Sequence, residues 1–320
     1  MKLVLGLTIV VALAILGVWL KARANEARAE DLYPPEGRLL DVNGHTVHAV
    51  LLGTENTNAP DVVLIHGSSG NTRDMTHALA PELAKRYRVI VFDRPGLGYS
   101  DPLSLTGATL TEQAQILSDA ARQLGSEKPL VVGHSYGGAV ALAWAVHHPD
   151  QVSGVVALSA ASHPWDTGLS TYYKILSHPV LGRIVIPLIT AFVPDTRVAK
   201  ELDAVFEPDQ VPTGYMDHFG PRLSMSRASM RANALQRANL LNEIETLVPR
   251  YPEIGVPLEI LHGTADTNVG LHIHSVPLSE AVEGANLVPL EGLGHMIQHA
   301  APQTVIDAVD RAAQRAGLRP

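Results

Sequence analysis

Apolar and polar residues change period in blocks along this chain. Asp61–Ile65, Arg88–Phe92, Leu130–Val132, Val152–Leu158, Val256–Leu261 and Asn286–Leu290 are short apolar runs rich in β-branched residues. That is the pattern of strands buried on both faces. Between them, Asn71–Lys85, Leu110–Leu124 and Ala139–Ala145 carry helical spacing, and Gly125 closes the second as a C-cap. A last helix is predicted over about 303–317. Gly37–Gly53 alternates around Asn43-Gly44, a strong hairpin signal. Strands alternating with helices predict an α/β fold, with a mostly parallel sheet covered by helices on both faces.

The alternation breaks from about Ala161 to Tyr251, where Pro164, Pro179, Pro187, Pro194, Pro208, Pro212 and Pro221 punctuate short helical patterns. This stretch is predicted to be an inserted helical cap, residues 161–251, ending in a helix near Met225–Leu247. Residues 37–160 and 252–320 then form the core. Ile184–Val193 is notably apolar and lines an acyl pocket, touches lipid, or fills the cap's own core.

Leu3–Leu20 is apolar apart from Thr8 and is flanked by Lys2, Lys21 and Arg23. Residues 3–20 are long enough for a transmembrane helix. The expectation is a single-pass N-terminal membrane anchor, followed by a linker over 21–36. The alternative is a signal segment cleaved near Ala22-Arg23-Ala24, giving a secreted or periplasmic protein. Lys21, Arg23 and Arg28 outnumber the charges before the run, which by the positive-inside rule favours a cytoplasmic main domain. The count is small, and an anchor of this type also occurs in the opposite orientation.

The chain has 320 residues and a net charge of −8, with no Lys/Arg cluster, which argues against nucleic acid. The absence of cysteine removes disulfides, thiolate chemistry and Cys-ligated zinc. Fifteen histidines show no metal-ligand spacing, so no metal and no cofactor is expected.

The chemistry centres on Gly133-His134-Ser135-Tyr136-Gly137, set between the strand Leu130–Val132 and the following helix. Gly-x-Ser-x-Gly at a sharp strand-to-helix turn is a nucleophile elbow. It lifts the serine hydroxyl clear of the backbone and aims a helix N-terminus at the same spot. A serine hydroxyl needs a base, and the base needs an orienting group. Asp266 follows a late strand and His295 follows the last one, giving the chain order Ser, Asp, His. The N–H of Tyr136 and that of Ser68, with Ser69 as alternative, are the candidate oxyanion donors. His66 is expected to brace that loop, and Asp93 and Arg94 to tie down the next one.

His66-Gly67-Ser68-Ser69-Gly70, Asp93-Arg94-Pro95-Gly96-Leu97-Gly98-Tyr99-Ser100, Gly133–Gly138, the Asp266 loop and Gly294-His295 together resemble the α/β-hydrolase fold superfamily, over roughly residues 37–317. Within it the chain looks like the capped serine-hydrolase, esterase-like branch. The resemblance implies the α/β-hydrolase fold but leaves the substrate open. Epoxide hydrolases and haloalkane dehalogenases of that branch carry aspartate at the elbow, where this chain has Ser135. The leading expectation is a carboxylic ester hydrolase acting on a small, apolar ester. C–C bond hydrolysis or haloperoxidase-type chemistry on the same triad is the alternative, and a non-catalytic anchored binding protein a third.

Overall fold

The alternating blocks close into one eight-stranded sheet in a computed structural model that describes residues 1–56 and 58–319. Its strands are β1 (Arg38–Val42), β2 (His45–Leu52), β3 (Asp61–Ile65), β4 (Arg88–Phe92), β5 (Leu130–His134), β6 (Gly154–Leu158), β7 (Leu258–Gly263) and β8 (Asn286–Leu290). The order is β1-β2-β4-β3-β5-β6-β7-β8. β1 and β2 form the antiparallel hairpin expected at Asn43-Gly44, and β2 runs antiparallel to β4. Every pairing from β4–β3 onward is parallel.

The two-residue period of the central strands divides the core into two layers. Val63, Ile65, Ile90, Phe92 and Val131 face the helices Leu110–Gln123 and Tyr136–His147. Their neighbours Val62, Leu64, Val89, Val91 and Val132 face Leu79–Ala84 and Pro302–Arg315. A parallel sheet needs this cover on both sides because its connections cross over it. It also places the loops after β3, β5, β7 and β8 together at the carboxyl edge, where α/β sheets build their sites.

Between β6 and β7 lies the helical insert: Thr171–Ser177, Leu181–Phe192, Asp195–Phe206, Tyr215–Phe219, Pro221–Ser224 and Arg227–Leu247. The stretch 71–85, predicted as one helix, is two, Thr72–Thr76 and Leu79–Ala84. The break falls at His77, whose ring packs edge-on against Tyr215 and His218 of the insert.

The N-terminal helix is longer than its apolar run. It continues without a break from Lys2 to Leu32, so most of the predicted linker is helical. The physical reason is twofold. Ala, Glu and Arg in 22–30 are good helix formers. The added turns also dock: Ala22, Glu26 and Ala29 are buried. Glu26 accepts from the N–H and both guanidinium arms of Arg227, at 2.8–2.9 Å. Asn25 Nδ2 donates to the carbonyls of Thr190 and Ala191. The preceding segment is long and apolar enough to cross a bilayer, a property that anchors and signal sequences share.

Removing one member of a largely buried ion pair strands the other charge. Arg227→Met is expected to lower unfolding free energy by about 2 kcal/mol, allowing for the partial exposure of the arginine. Glu26→Gln added to it should restore most of the loss. Thermal melts of the detergent-solubilised full chain would check this, and an unchanged midpoint in the single variant would contradict the docking.

Candidate active site

Ser135 sits between β5 and the helix Tyr136–His147 at φ 54, ψ −115. This left-handed region is unfavourable for a residue with a Cβ. Flanking residues must be glycine for a separate reason. A Cβ on Gly133 would lie 2.2 Å from the carbonyl oxygen of Gly137, and one on Gly137 would lie 2.3 Å from that of Ile65. The turn is held by its own backbone. The N–H of Ser135 donates to Leu158 O at 2.8 Å, and its carbonyl accepts from Gly138, Ala139 and Ala161.

Asp266 lies in the loop after β7. One carboxylate oxygen accepts from the N–H groups of Asn268 and Val269, at 2.8 and 2.9 Å. The other meets His295 Nδ1 at 2.7 Å. His262 Nε2 is 3.3 Å from that same oxygen. Burial alone would raise the Asp266 carboxyl. The hydrogen bonds to His262 and His295 outweigh it and hold the group well below the usual carboxylate range. Asp266 is therefore ionised at neutral pH, with a fixed partner.

The loop after β3 carries Ser68 and Ser69. The N–H of Ser69 is already committed to Asn233 Oδ1 at 3.0 Å. No protein acceptor is recorded among the described residues for the N–H of Ser68 or of Tyr136. Both expected donors are thus free, and the alternative at Ser69 is not. His66 braces this loop as expected, accepting from Arg94 N at 3.0 Å, and Arg94, expected to tie down the next loop, braces this one as well. Arg94 donates to the carbonyls of His66 and Gly67, and to the side chains of Gln113 and Gln236, at 2.9–3.1 Å. Its guanidinium lies 4.2 Å from the centroid of the Tyr136 ring. Asp93 accepts from Thr72 N, Tyr99 N and His48 Nδ1. Asp93 thus fastens its own loop and ties it to β2 and to the start of the helix Thr72–Thr76.

A family model described as alpha/beta hydrolase fold matches residues 60–181. The chain is similar to haloalkane dehalogenase 2 of Mycobacterium tuberculosis, at 27% identity over 288 residues, 87% of this chain and 95% of that protein. Its fold is similar to that of a thermophilic esterase from Thermogutta terrifontis, with TM-score 0.69 and 20% identity, covering 88% of this chain and 99% of that one. The chain has the α/β-hydrolase fold. A membrane phospholipase A described as a bacterial virulence factor has the same fold, with TM-score 0.64 at 21% identity, covering 99% of both chains.

In this α/β-hydrolase, Ser68, Ser135 and His295 line one cavity of about 700 Å³ under the insert. His295 Nδ1 is held by Asp266, and no hydrogen bond joins Ser135 Oγ to His295. His134, beside the serine, tilts against the His295 ring at 4.7 Å and donates from Nε2 to His295 O at 3.0 Å.

The insert supplies residues that the sequence reading did not find. Asn233 bonds both the N–H and the hydroxyl of Ser69, and Gln236 joins Arg94 to the carbonyl of Pro95. They are three residues apart on the helix Arg227–Leu247 and so share a face. Two buried amides at that spacing were the available signal. Asp74 is the other omission. Its buried carboxylate lines the cavity and accepts from Tyr215 Oη at 2.7 Å and from His299 Nε2 at 2.8 Å.

Several buried histidines are kept neutral. Burial and the Arg94 charge push His66 down to about 4. Burial and the neighbouring His295 push His134 down to about 3. The unfolded chain binds these protons from about pH 6.5 downward and the folded chain does not. Stability is therefore complete above pH 6.5 and is lost as the pH falls toward 4, by about 1 kcal/mol per pH unit for each such group. Melting temperature against pH should slope down through that window. His134→Gln should make the slope shallower, and a parallel slope would count against a neutral His134.

Proposed function

We propose that this α/β-hydrolase is a serine hydrolase that cleaves carboxylic esters through an acyl-enzyme on Ser135. The observation that carries the reading is the strained Ser135 elbow sharing one cavity with a His295 that is locked by an ionised Asp266. The 2.7 Å contact at Nδ1 leaves Nε2 of His295 as the proton-accepting nitrogen.

Ser135 Oγ attacks the ester carbonyl carbon while its proton passes to His295 Nε2. The new O–C bond leaves a tetrahedral oxyanion, which the N–H groups of Ser68 and Tyr136 stabilise. Collapse breaks the bond to the leaving alcohol, and His295 returns the proton to that oxygen. Water then attacks the acyl-serine by the same route, giving a carboxylic acid and free Ser135. Asp266 keeps the imidazole in the right tautomer and stabilises its protonated form. These steps call on no metal and no organic cofactor.

The cavity suits an apolar acyl group. Leu176, Ile189, Val193, Phe219, Met225 and Met230 all line it. Its volume of about 700 Å³ lies within the usual range for small-molecule sites. Ser135, where haloalkane dehalogenases of the resembling branch carry aspartate, favours acyl transfer over displacement at an alkyl carbon.

The test is hydrolysis of p-nitrophenyl esters by the detergent-solubilised full chain. Ser135→Ala should lower kcat by at least about 10³-fold, and Asp266→Asn by about 10³–10⁴-fold, with both variants folded. A fluorophosphonate should label the wild type and not Ser135→Ala. Undiminished turnover in Ser135→Ala would overturn the assignment.

A further inference from the structure

The helix Leu181–Phe192 is apolar apart from Arg183 and Thr190, and its apolar residues meet three different surroundings. Ile186 is buried with Leu176, Met230 and Ala234 in the insert's own core. Ile189, with Val193 just beyond the helix, lines the cavity. Leu181, Ile184, Leu188 and Phe192 are spaced three, four and four residues apart and are 45, 57, 42 and 55% exposed. That spacing puts the four on one face. Large apolar side chains in a contiguous exposed stripe mark a contact surface.

The N-terminal helix identifies what that surface meets. Its apolar window has mean hydropathy 2.8 and is wholly unburied. The next turns are fastened to the insert at the end of the stripe. Lys21 Nζ lies 4.6 Å from the centroid of the Phe192 ring, and Arg227 packs over Trp19 at 5.4 Å. The stripe thus meets the N-terminal helix where its apolar run ends. Trp19, Lys21 and Arg23 fall within about one turn of one another where the apolar run ends, a composition that suits a membrane–water boundary. Arg183, exposed on the same helix, adds a cation suited to anionic headgroups.

We infer that the Leu181–Phe192 face docks on a lipid bilayer in which the retained N-terminal helix is inserted, and that the esters reaching Ser135 are acyl lipids drawn from that bilayer. The substrate half rests on the ester-hydrolase reading, whereas the docking half does not. The route is short. Tyr172, 51% exposed, lines the cavity together with the exposed Arg197 and Glu201, so the mouth opens beside the two helices that flank the lipid-facing one in the chain. The helix Leu181–Phe192 separates lipid on one face from the cavity on another, so an acyl chain passes between two apolar media.

Because the chain has no cysteine, Leu188→Cys accepts a single environment-sensitive fluorophore. The full chain would be reconstituted into phosphatidylcholine–phosphatidylglycerol vesicles. The label at position 188 should be quenched by lipids brominated high on the acyl chain, and one at the exposed Glu283→Cys should not. Equal accessibility of both labels to an aqueous quencher would overturn the docking. So would self-quenching at position 188 that grows with the protein-to-lipid ratio, because a second copy would then cover the face. In parallel, Ile184→Asp with Leu188→Asp should lower turnover of a long-chain ester embedded in the vesicles by about tenfold while leaving p-nitrophenyl butyrate within about twofold. Equal loss on both substrates would overturn delivery from the bilayer. A wild type inert toward p-nitrophenyl butyrate would instead sink the ester reading, and the quenching result would still decide the docking.

Discussion

The backbone at Ser135 is the constraint around which the rest is arranged. A non-glycine residue at φ 54 costs on the order of 1–3 kcal/mol and persists only when its surroundings over-determine it. Here they do. Leu158 on β6 takes the N–H, three N–H groups converge on the carbonyl, and the β3 strand end packs within reach of Gly137. The same close approach that forbids a side chain at Gly133 and Gly137 brings the loops after β3 and β5 together. The elbow and the Ser68 loop are therefore adjacent by packing rather than by any direct bond between them.

That adjacency has an electrostatic cost, and Arg94 shows how it is met. Its guanidinium is fully buried and, among the described residues, has no carboxylate partner. Burial lowers its pKa to about 10, which still leaves it charged at neutral pH. Backbone carbonyls of the Ser68 loop, two glutamine side chains and the Tyr136 ring take the place of a counter-ion. A cation held by dipoles is a fixed source of positive potential behind the two free N–H groups. Pairing it with a carboxylate would cancel that potential. Gln236 and Asn233 belong to the insert, so the insert does more than roof the cavity. It fixes the loop that carries Ser68 and Ser69.

Sheet, elbow and strand-end residues were legible because each depends on local pattern. β-branched runs give strands, Asn-Gly gives the hairpin, and Gly-x-Ser-x-Gly between strand and helix gives the turn. Strand registers then bring Asp266 and His295 together, since β7 and β8 are neighbours. Asp74, Asn233 and Gln236 were not legible. Their roles depend on how the insert meets the core: the buried side of the helix Arg227–Leu247 carries polar as well as apolar residues, so its face is set by packing, and Asp74 finds its partner Tyr215 only once the insert is in place. The predicted linker failed for a related reason. Residues 21–32 are polar enough to suit solvent, and only contacts with residues far along the chain, Glu26 with Arg227 and Asn25 with Thr190 and Ala191, show that one side is buried.

The helix Leu181–Phe192 marks the limit of reading by periodicity. Amphipathic patterning distinguishes two surroundings, water and core, by contrast along the helix. An element between a core, an apolar cavity and lipid has three apolar surroundings and no contrast to show. Its sequence was compatible with an acyl pocket, a lipid contact and an internal core; Ile189 lines the cavity, Ile186 is buried in the insert's core, and Leu188 is exposed on the face we infer to meet lipid. Uniform hydrophobicity in a short helix is therefore no evidence of complete burial. Next to a longer apolar helix near the N-terminus, the exposed stripe of Leu181, Ile184, Leu188 and Phe192 is the observation on which the inferred bilayer contact rests.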